Sequence, residues 1–299
     1  DSALIEACNT GFQVHLQVKP DEFVGKYNIA QMISAPVLGI AVNSPMLFGK
    51  RLWKESRIAL FQQSIDTRSS SEHLRDRSPR VMFGNRWVDG SILDIYRDDI
   101  VRFRVLLGAN FEQDSMEMVE NGKVPKLKAL TVHNSTVYRW NRPCYGVSDN
   151  GKPHLRIENR ILPSGPSIPD EIANAAFWLG LMNGFGDVYK DVTKLIDFDS
   201  VRSNFFMAAN HGLQSNITWF KNKPISVKEL IKKELLPIAR EGLAKTNVNK
   251  KDIDQYLGII EERNRKNTTG SNWMLDSYAN LCEKASREEI ITTITASTV

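Results

Sequence analysis

The sequence predicts an α+β fold, an antiparallel sheet with flanking helices followed by a helical C-terminal part. Three observations predict it. Phe12 to Val18 alternates strictly between apolar and polar residues, the period of a half-buried strand. A second alternation, His154 to Ile161, runs into Pro163-Ser164-Gly165-Pro166, a cluster of turn formers. Beyond Gly186 the pattern becomes helical, with capping signals and apolar residues three and four positions apart.

In the first strand Phe12, Val14, Leu16 and Val18 share one face, and Gln13, His15 and Gln17 the other. Residues 21–42 read as a helix opening on Asp21 and Glu22, whose charges suit its positive N-terminal end. The arginine- and serine-rich stretch 68–80 reads as a loop, either a solvated insertion or a flap that steers phosphate. Residues 127–142 and 153–162 are the next strands, joined through Pro143, Gly146 and Gly151. A helix follows from about Pro169, where proline fits a first turn and Asp170 and Glu171 complement the dipole.

Further along, Ser226 with Glu229 and Ser286 with Glu289 are spaced as capping boxes. Ile253, Tyr256, Leu257 and Ile260 form an apolar stripe, as do Met274, Tyr278, Leu281 and Cys282, and both read as core. Pro237 removes a backbone donor in mid-run and is expected to bend or interrupt its helix. Residues 1–186 are therefore read as one α+β region and 187–299 as a helical region packed on it.

Composition narrows the function classes. With 299 residues, 41% hydrophobic and 25% charged, the chain can bury a sizeable core and is not a disordered sequence. The net charge of +4 is spread evenly: residues 1–186 hold 22 basic and 20 acidic side chains, and 187–299 hold 17 and 15. No basic tail or domain invites nucleic acid or an anionic membrane. The longest apolar stretch, Ile29 to Val42, is interrupted by Gln31, Ser34, Pro36 and Gly39 and is too short to span a bilayer. Cys8, Cys144 and Cys282 lie far apart, with neither zinc-type nor disulfide spacing. A cytoplasmic setting is expected.

The chemistry concentrates on the strand His154 to Ile161. A period of two turns Leu155, Ile157 and Ile161 inward and places Arg156, Glu158 and Arg160 together on the other face. A carboxylate between two guanidiniums is either a salt-bridged, solvated strand or a phosphate site, in which Glu158 holds a hard cation and the arginines grip phosphoryl oxygens. His15 is a candidate to join it. Dinucleotide, P-loop, zincin and nucleophile-elbow motifs are absent.

Arg156-Ile-Glu158-Asn-Arg160 resembles the R-x-E-x-R strand of the glutamine synthetase-like superfamily. Phe12-Gln13-Val14-His15, Asn43-Ser44-Pro45, Glu55-Ser56-Arg57, Ala176-Phe177-Trp178-Leu179-Gly180-Leu181, Leu236 to Leu243 and Thr269 to Trp273 resemble, in order, segments of glutamate–cysteine ligase family 2, the carboxylate–amine ligases, including the plant-type branch. The resemblance implies a glutamine synthetase-like sheet and an ATP- and Mg²⁺-dependent reaction. The γ-carboxylate of glutamate is phosphorylated, and an amine, by default that of cysteine, displaces phosphate from the acyl phosphate. It implies Glu158 as a metal ligand with Gln13 beside the metal, Arg160 as phosphoryl clamp with Arg156 beside it, and His15 near the nucleotide.

Arg57 is the candidate for the substrate carboxylate, with a surface ion pair to Glu55 as its alternative, and Arg142 is placed at the site rim. Two departures accompany the resemblance. Gln13 stands where many members carry histidine, although the plant-type branch also uses glutamine. The acidic strand that carries further metal carboxylates has no counterpart before Phe12. The expectation is a piece of a longer protein, with an upstream or fused segment supplying that strand, or a piece inactive alone. A non-catalytic domain that keeps the fold and binds nucleotide or a partner is the other class.

Overall fold

Alternating apolar residues make β1 (Val14–Val18), and the mostly apolar stretch after it makes α1 (Phe23–Ala41), buried on nearly every side. The structure is a computed structural model describing residues 3–66, 68, 78–108, 114–282 and 285–297. The principal elements that follow are α2 (Ile92–Arg102), α3 (Lys128–Ser135), β2 (Asn141–Val147), β3 (Pro153–Asn159), α4 (Ile168–Val188) and α5 (Phe198–His211). α6 (Leu236–Lys245), α7 (Lys250–Lys266), α8 (Gly270–Leu281) and α9 (Arg287–Ala296) complete the C-terminal part.

The sheet that positions the site has the order β1-β3-β2, with both pairs antiparallel. Its register sets His15 and Arg142 on either side of Glu158, and Gln17 and Cys144 on either side of Arg156. One face meets α1, with Ile157 and the following Ile161 fully buried. That face also holds a polar network: Asn141 Nδ2 donates to Gln31 Oε1 at 2.6 Å and to Ser34 Oγ at 3.0 Å. These buried hydrogen bonds tie the sheet to one position along α1, although Asn141 Oδ1 itself has no partner. The main apolar core runs from Val18 through α1, α4 and α5 to Ile260 of α7, with a small separate cluster of Met82, Phe103 and Val137, and the division expected at Gly186 falls in the last turn of α4.

Several expectations change. The segment 127–142 is not one strand, because Lys128–Ser135 is helical and only Tyr138–Arg139 and Asn141 onward are extended. Of its β-branched residues Val132 is half-buried and Thr131 exposed, on a helix against the sheet, so local context outweighs propensity. Pro143 lies inside β2 rather than in the connection; β2 is an edge strand, where a missing donor costs no ladder bond. The turn comes later, with Gly151 at φ +77° supplying the left-handed conformation.

In the C-terminal part, Ser286 and Glu289 form the expected capping box, but Ser226 makes no side-chain cap bond. Ile253, Leu257 and Ile260 are core with Tyr256 packed against it, whereas Met274, Tyr278 and Leu281 are half-buried and Cys282 is exposed. Pro237 does not break its helix. The α-ladder passes through a π segment, Ile231–Leu235, and Pro237 sits in the first turn of α6, where its absent N–H is accommodated by the wider turn. Of the loop expected at 68–80, residues 69–77 lie outside those described; Arg68 pairs with Asp66 at 2.6 Å. Among the described residues, no helix is long and apolar enough to cross a membrane.

Candidate active site

The polar face of the sheet carries the candidate site, and Glu158 is its centre at 1% exposure. Arg142 on β2 donates to Oε2 through Nε at 3.0 Å and Nη2 at 2.9 Å. Arg160, just past β3, donates to Oε1 at 2.7 Å, and the Cys144 thiol donates to Oε2 at 3.3 Å. Both oxygens are thus engaged. Burial pushes the Glu158 carboxyl up, but the two guanidiniums and the thiol outweigh it and hold the group below the usual carboxylate range. Beside it, burial pushes the His15 imidazole below its ordinary value, and Arg156, Arg142 and Arg160 oppose the raising effect of Glu158. Burial and the Glu158 charge push the Cys144 thiol up to about 11.

These groups border a cavity of about 190 Å³ lined by His15, Arg142, Cys144, Arg156 and Glu158 on the sheet and closed by Tyr96 of α2 and residues of α3. Arg156 Nε is buried without a hydrogen-bond partner, and Arg156 is one of the residues that line the same cavity. Such an atom calls for an acceptor oxygen.

The structure therefore brings His15, Arg142, Arg156 and Glu158 around one cavity, with Arg160 on the far oxygen of Glu158. Arg142, at the edge-strand end of the row, lines the cavity and pairs with Glu158. Gln13 is exposed just ahead of β1 and does not line the cavity.

Arg57 has a different occupation from the one expected. Its Nε donates to Glu55 Oε1 at 3.1 Å, Nη1 donates to the Arg160 carbonyl at 3.3 Å, and Nη2 donates to the Ile161 carbonyl. Its charged end also lies over the Trp140 ring. The pair with Glu55 exists but is buried, since Glu55 is fully covered and also accepts from the Asn43 N–H and Ser44 hydroxyl. Three of its five N–H donors are so engaged, and they make Arg57 a positioning residue that fixes the backbone carrying Arg160; the cavity it borders is a separate one, shared with Asn43, Ser44 and Glu55. Arg57→Lys keeps the charge but loses the planar fork. It is expected to cost about 2 kcal/mol, since two buried carbonyls lose their donors, and a denaturant melt checks this. An unchanged midpoint would remove Arg57 from this role.

Sequence reasoning passed over Cys144, Tyr96 and the α3 residues. Cys144 follows Arg142 by two, so it shares that face once the strand is read through Pro143.

Mg²⁺ does not fit the described residues. It demands six oxygens in near-octahedral geometry, whereas here one carboxylate has both oxygens taken and its near neighbours are a ring nitrogen and a thiol. A phosphoryl group does fit, because the guanidiniums of Arg142 and Arg160 flank one carboxylate and that of Arg156, on the same strand, has a nitrogen without an acceptor.

Among curated proteins, none matches the chain. The family model of glutamate-cysteine ligase family 2 matches residues 3–296, nearly the whole length, and with the arginine–glutamate row of β3 in place the chain belongs to that family of carboxylate–amine ligases.

Proposed function

We propose that the protein is an ATP-dependent ligase that joins the γ-carboxylate of glutamate to an amine, cysteine by default, through an acyl phosphate. The observation that carries the reading is the surplus of positive charge around Glu158: Arg142 and Arg160 both pair with its single carboxylate, and Arg156 lines the same cavity as Arg142 and Glu158. A carboxylate is a poor electrophile until phosphate is installed as its leaving group, which ATP supplies when bound. Phosphoryl transfer is catalysed mainly by positioning and by cations on the spread negative charge.

In this reading Arg156 and Arg160 bind phosphoryl oxygens, and Glu158 holds the Arg142 and Arg160 guanidiniums in orientation. His15, kept neutral by burial and its arginine neighbours, lies at the nucleotide side as a hydrogen-bonding group. Any Mg²⁺ that accompanies the nucleotide needs oxygen ligands beyond the described residues, and a carboxylate-bearing strand from an upstream or fused segment is where the reading looks for them. The setting is cytoplasmic, supported by three free cysteines, and no nucleic acid or membrane partner is assigned.

The test measures ADP release with glutamate and a panel of amines, cysteine first. Arg160→Lys retains the charge but not the two-pronged contact, and turnover is expected to fall on the order of 10²–10³-fold. ADP appearing with another amine changes only the acceptor. No ADP with any amine, or a wild-type rate in the variant, overturns the ligase reading. Nucleotide binding without turnover would then support the binding domain, a reading favoured by the misfit of Mg²⁺.

A further inference from the structure

The row that does not suit Mg²⁺ offers another donor set. A ring nitrogen of His15, Sγ of Cys144 and a carboxylate oxygen of Glu158 all lie within 4.8 Å of one another. Nitrogen, sulfur and oxygen donors together suit Zn²⁺ and its borderline-soft neighbours. We propose that His15, Cys144 and Glu158 form a three-ligand site for a zinc-class divalent cation, with the fourth position open to the cavity. The site shares His15 and Glu158 with the ligase reading, but its test reads metal binding and not turnover, so the two can fail separately.

The geometry is close to what such an ion needs. Zinc bonds of about 2.3 Å to sulfur and about 2.0 Å to oxygen, at a tetrahedral angle, separate the two ligand atoms by about 3.5 Å. Cys144 Sγ and Glu158 Oε2 are 3.3 Å apart. His15 stands directly opposite Glu158 in the β1–β3 ladder, and its exposed side chain leaves the ring room to turn.

Binding exchanges identifiable contacts. The Cys144 S–H bond breaks, its proton leaves to solvent, and the sulfur bonds the metal. Glu158 Oε2 gives up the two hydrogen bonds from Arg142, while Oε1 retains that from Arg160. A ligating carboxylate held from its other oxygen is a normal outer-shell arrangement. Arg142, with its side chain 18% exposed, turns toward the cavity.

Charge sets the affinity. The ion's two positive charges are matched by thiolate and carboxylate, so metal and ligands are together neutral. The surrounding arginines oppose the ion's approach, and they favour an anion such as hydroxide, chloride or phosphate in the fourth position. Occupancy would release Arg142 from Glu158 and so couple the ion to the arrangement of the arginine row.

Co²⁺ serves as the probe because its bond to thiolate gives a charge-transfer absorption. In a chain carrying Cys8→Ser and Cys282→Ser, which removes the two exposed thiols, one equivalent of Co²⁺ is expected to produce that absorption. Zn²⁺ should displace it and a large excess of Mg²⁺ should not. Cys144→Ser should abolish the band. His15→Gln, at an exposed position that does not threaten folding, should weaken Co²⁺ binding at least about tenfold. No band in the parent chain, a band that survives Cys144→Ser, loss of the band to Mg²⁺, or a His15→Gln chain that binds as tightly as its parent would each overturn the site.

Discussion

Glu158→Gln is expected to destabilise the fold by about 3 kcal/mol and, in the ligase reading, to lower ADP release on the order of 10²–10³-fold. The stability effect follows from what the carboxylate holds. Its oxygens take charge-assisted bonds from Arg142 and Arg160 at 2.7–3.0 Å in a place that is 1% exposed. A neutral amide keeps the shape but leaves two half-buried guanidiniums without a counter-charge. Arg142 and Arg160 keep side-chain exposures of 18% and 16%, so solvent relieves part of the loss and the lower end of the range for broken buried pairs applies.

The pH dependence carries a sign. Because the folded carboxyl titrates below its ordinary value of about 4.5, its contribution is complete above that value and is lost as pH falls through the lower folded pKa. Thermal melts from pH 3 to 7 should therefore show an acid-side decline that Glu158→Gln flattens. The double variant Glu158→Gln with Arg142→Gln should recover part of the deficit, since one stranded charge is gone. A single variant that melts with wild type would remove the row from the stability account.

Gly242→Ala should be as damaging through packing alone. α6 crosses α4 so closely that a Cβ on Gly242 would lie 2.6 Å from the Gly184 nitrogen and 2.9 Å from the Gly180 carbonyl carbon, with the Gly180 oxygen nearer still. The reverse contact is equally tight, because a Cβ on Gly180 would lie 2.9 Å from the Ala239 carbonyl carbon and its Cα. Backbone, not flexible side chain, stands in the way, so the helices must separate. Overpacking of this kind costs about 3 kcal/mol at the upper end of its usual range. In a chain of this size that corresponds to a loss of roughly 6 °C in Tm. Gly258→Ala on α7, where a Cβ meets nothing within 4 Å, is the control, expected to be neutral or slightly stabilising. Equal melting of the two variants would refute the close crossing.

The fold class, the faces of β1 and β3 and the burial of α7 were legible because each depends on local periodicity. The same periodicity placed His15, Arg156 and Glu158 correctly on one face. It failed where chain neighbours were uninformative. Whether Lys128–Ser135 is helix or strand depends on the sheet it packs against, and the tolerance of Pro143 depends on β2 being an edge. The structural part that Arg57 plays was hidden for a related reason. Its partners, the carbonyls of Arg160 and Ile161, are more than one hundred positions away, and no spacing rule reports a main-chain acceptor at that distance.

The transverse arrangement of His15, Glu158 and Arg142 across three strands has a consequence for how the chain finds its fold. A slip of one residue between β2 and β3 would set Glu158 where Ile157 belongs, burying a carboxylate against α1 and exposing an isoleucine. The charged row thus acts as a proofreading element for strand alignment. β2 and β3 are joined by a short connection and can align early through the Arg142–Glu158 pair. β1 comes from more than one hundred residues away and must close a long loop before its contacts compensate. The cavity is therefore assembled in two kinetic stages, a local hairpin that already carries most of the positive charge and a late-docking strand that brings His15. Hydrogen exchange during refolding should show amides of β2 and β3 protected before those of β1; simultaneous protection would contradict this sequence of events.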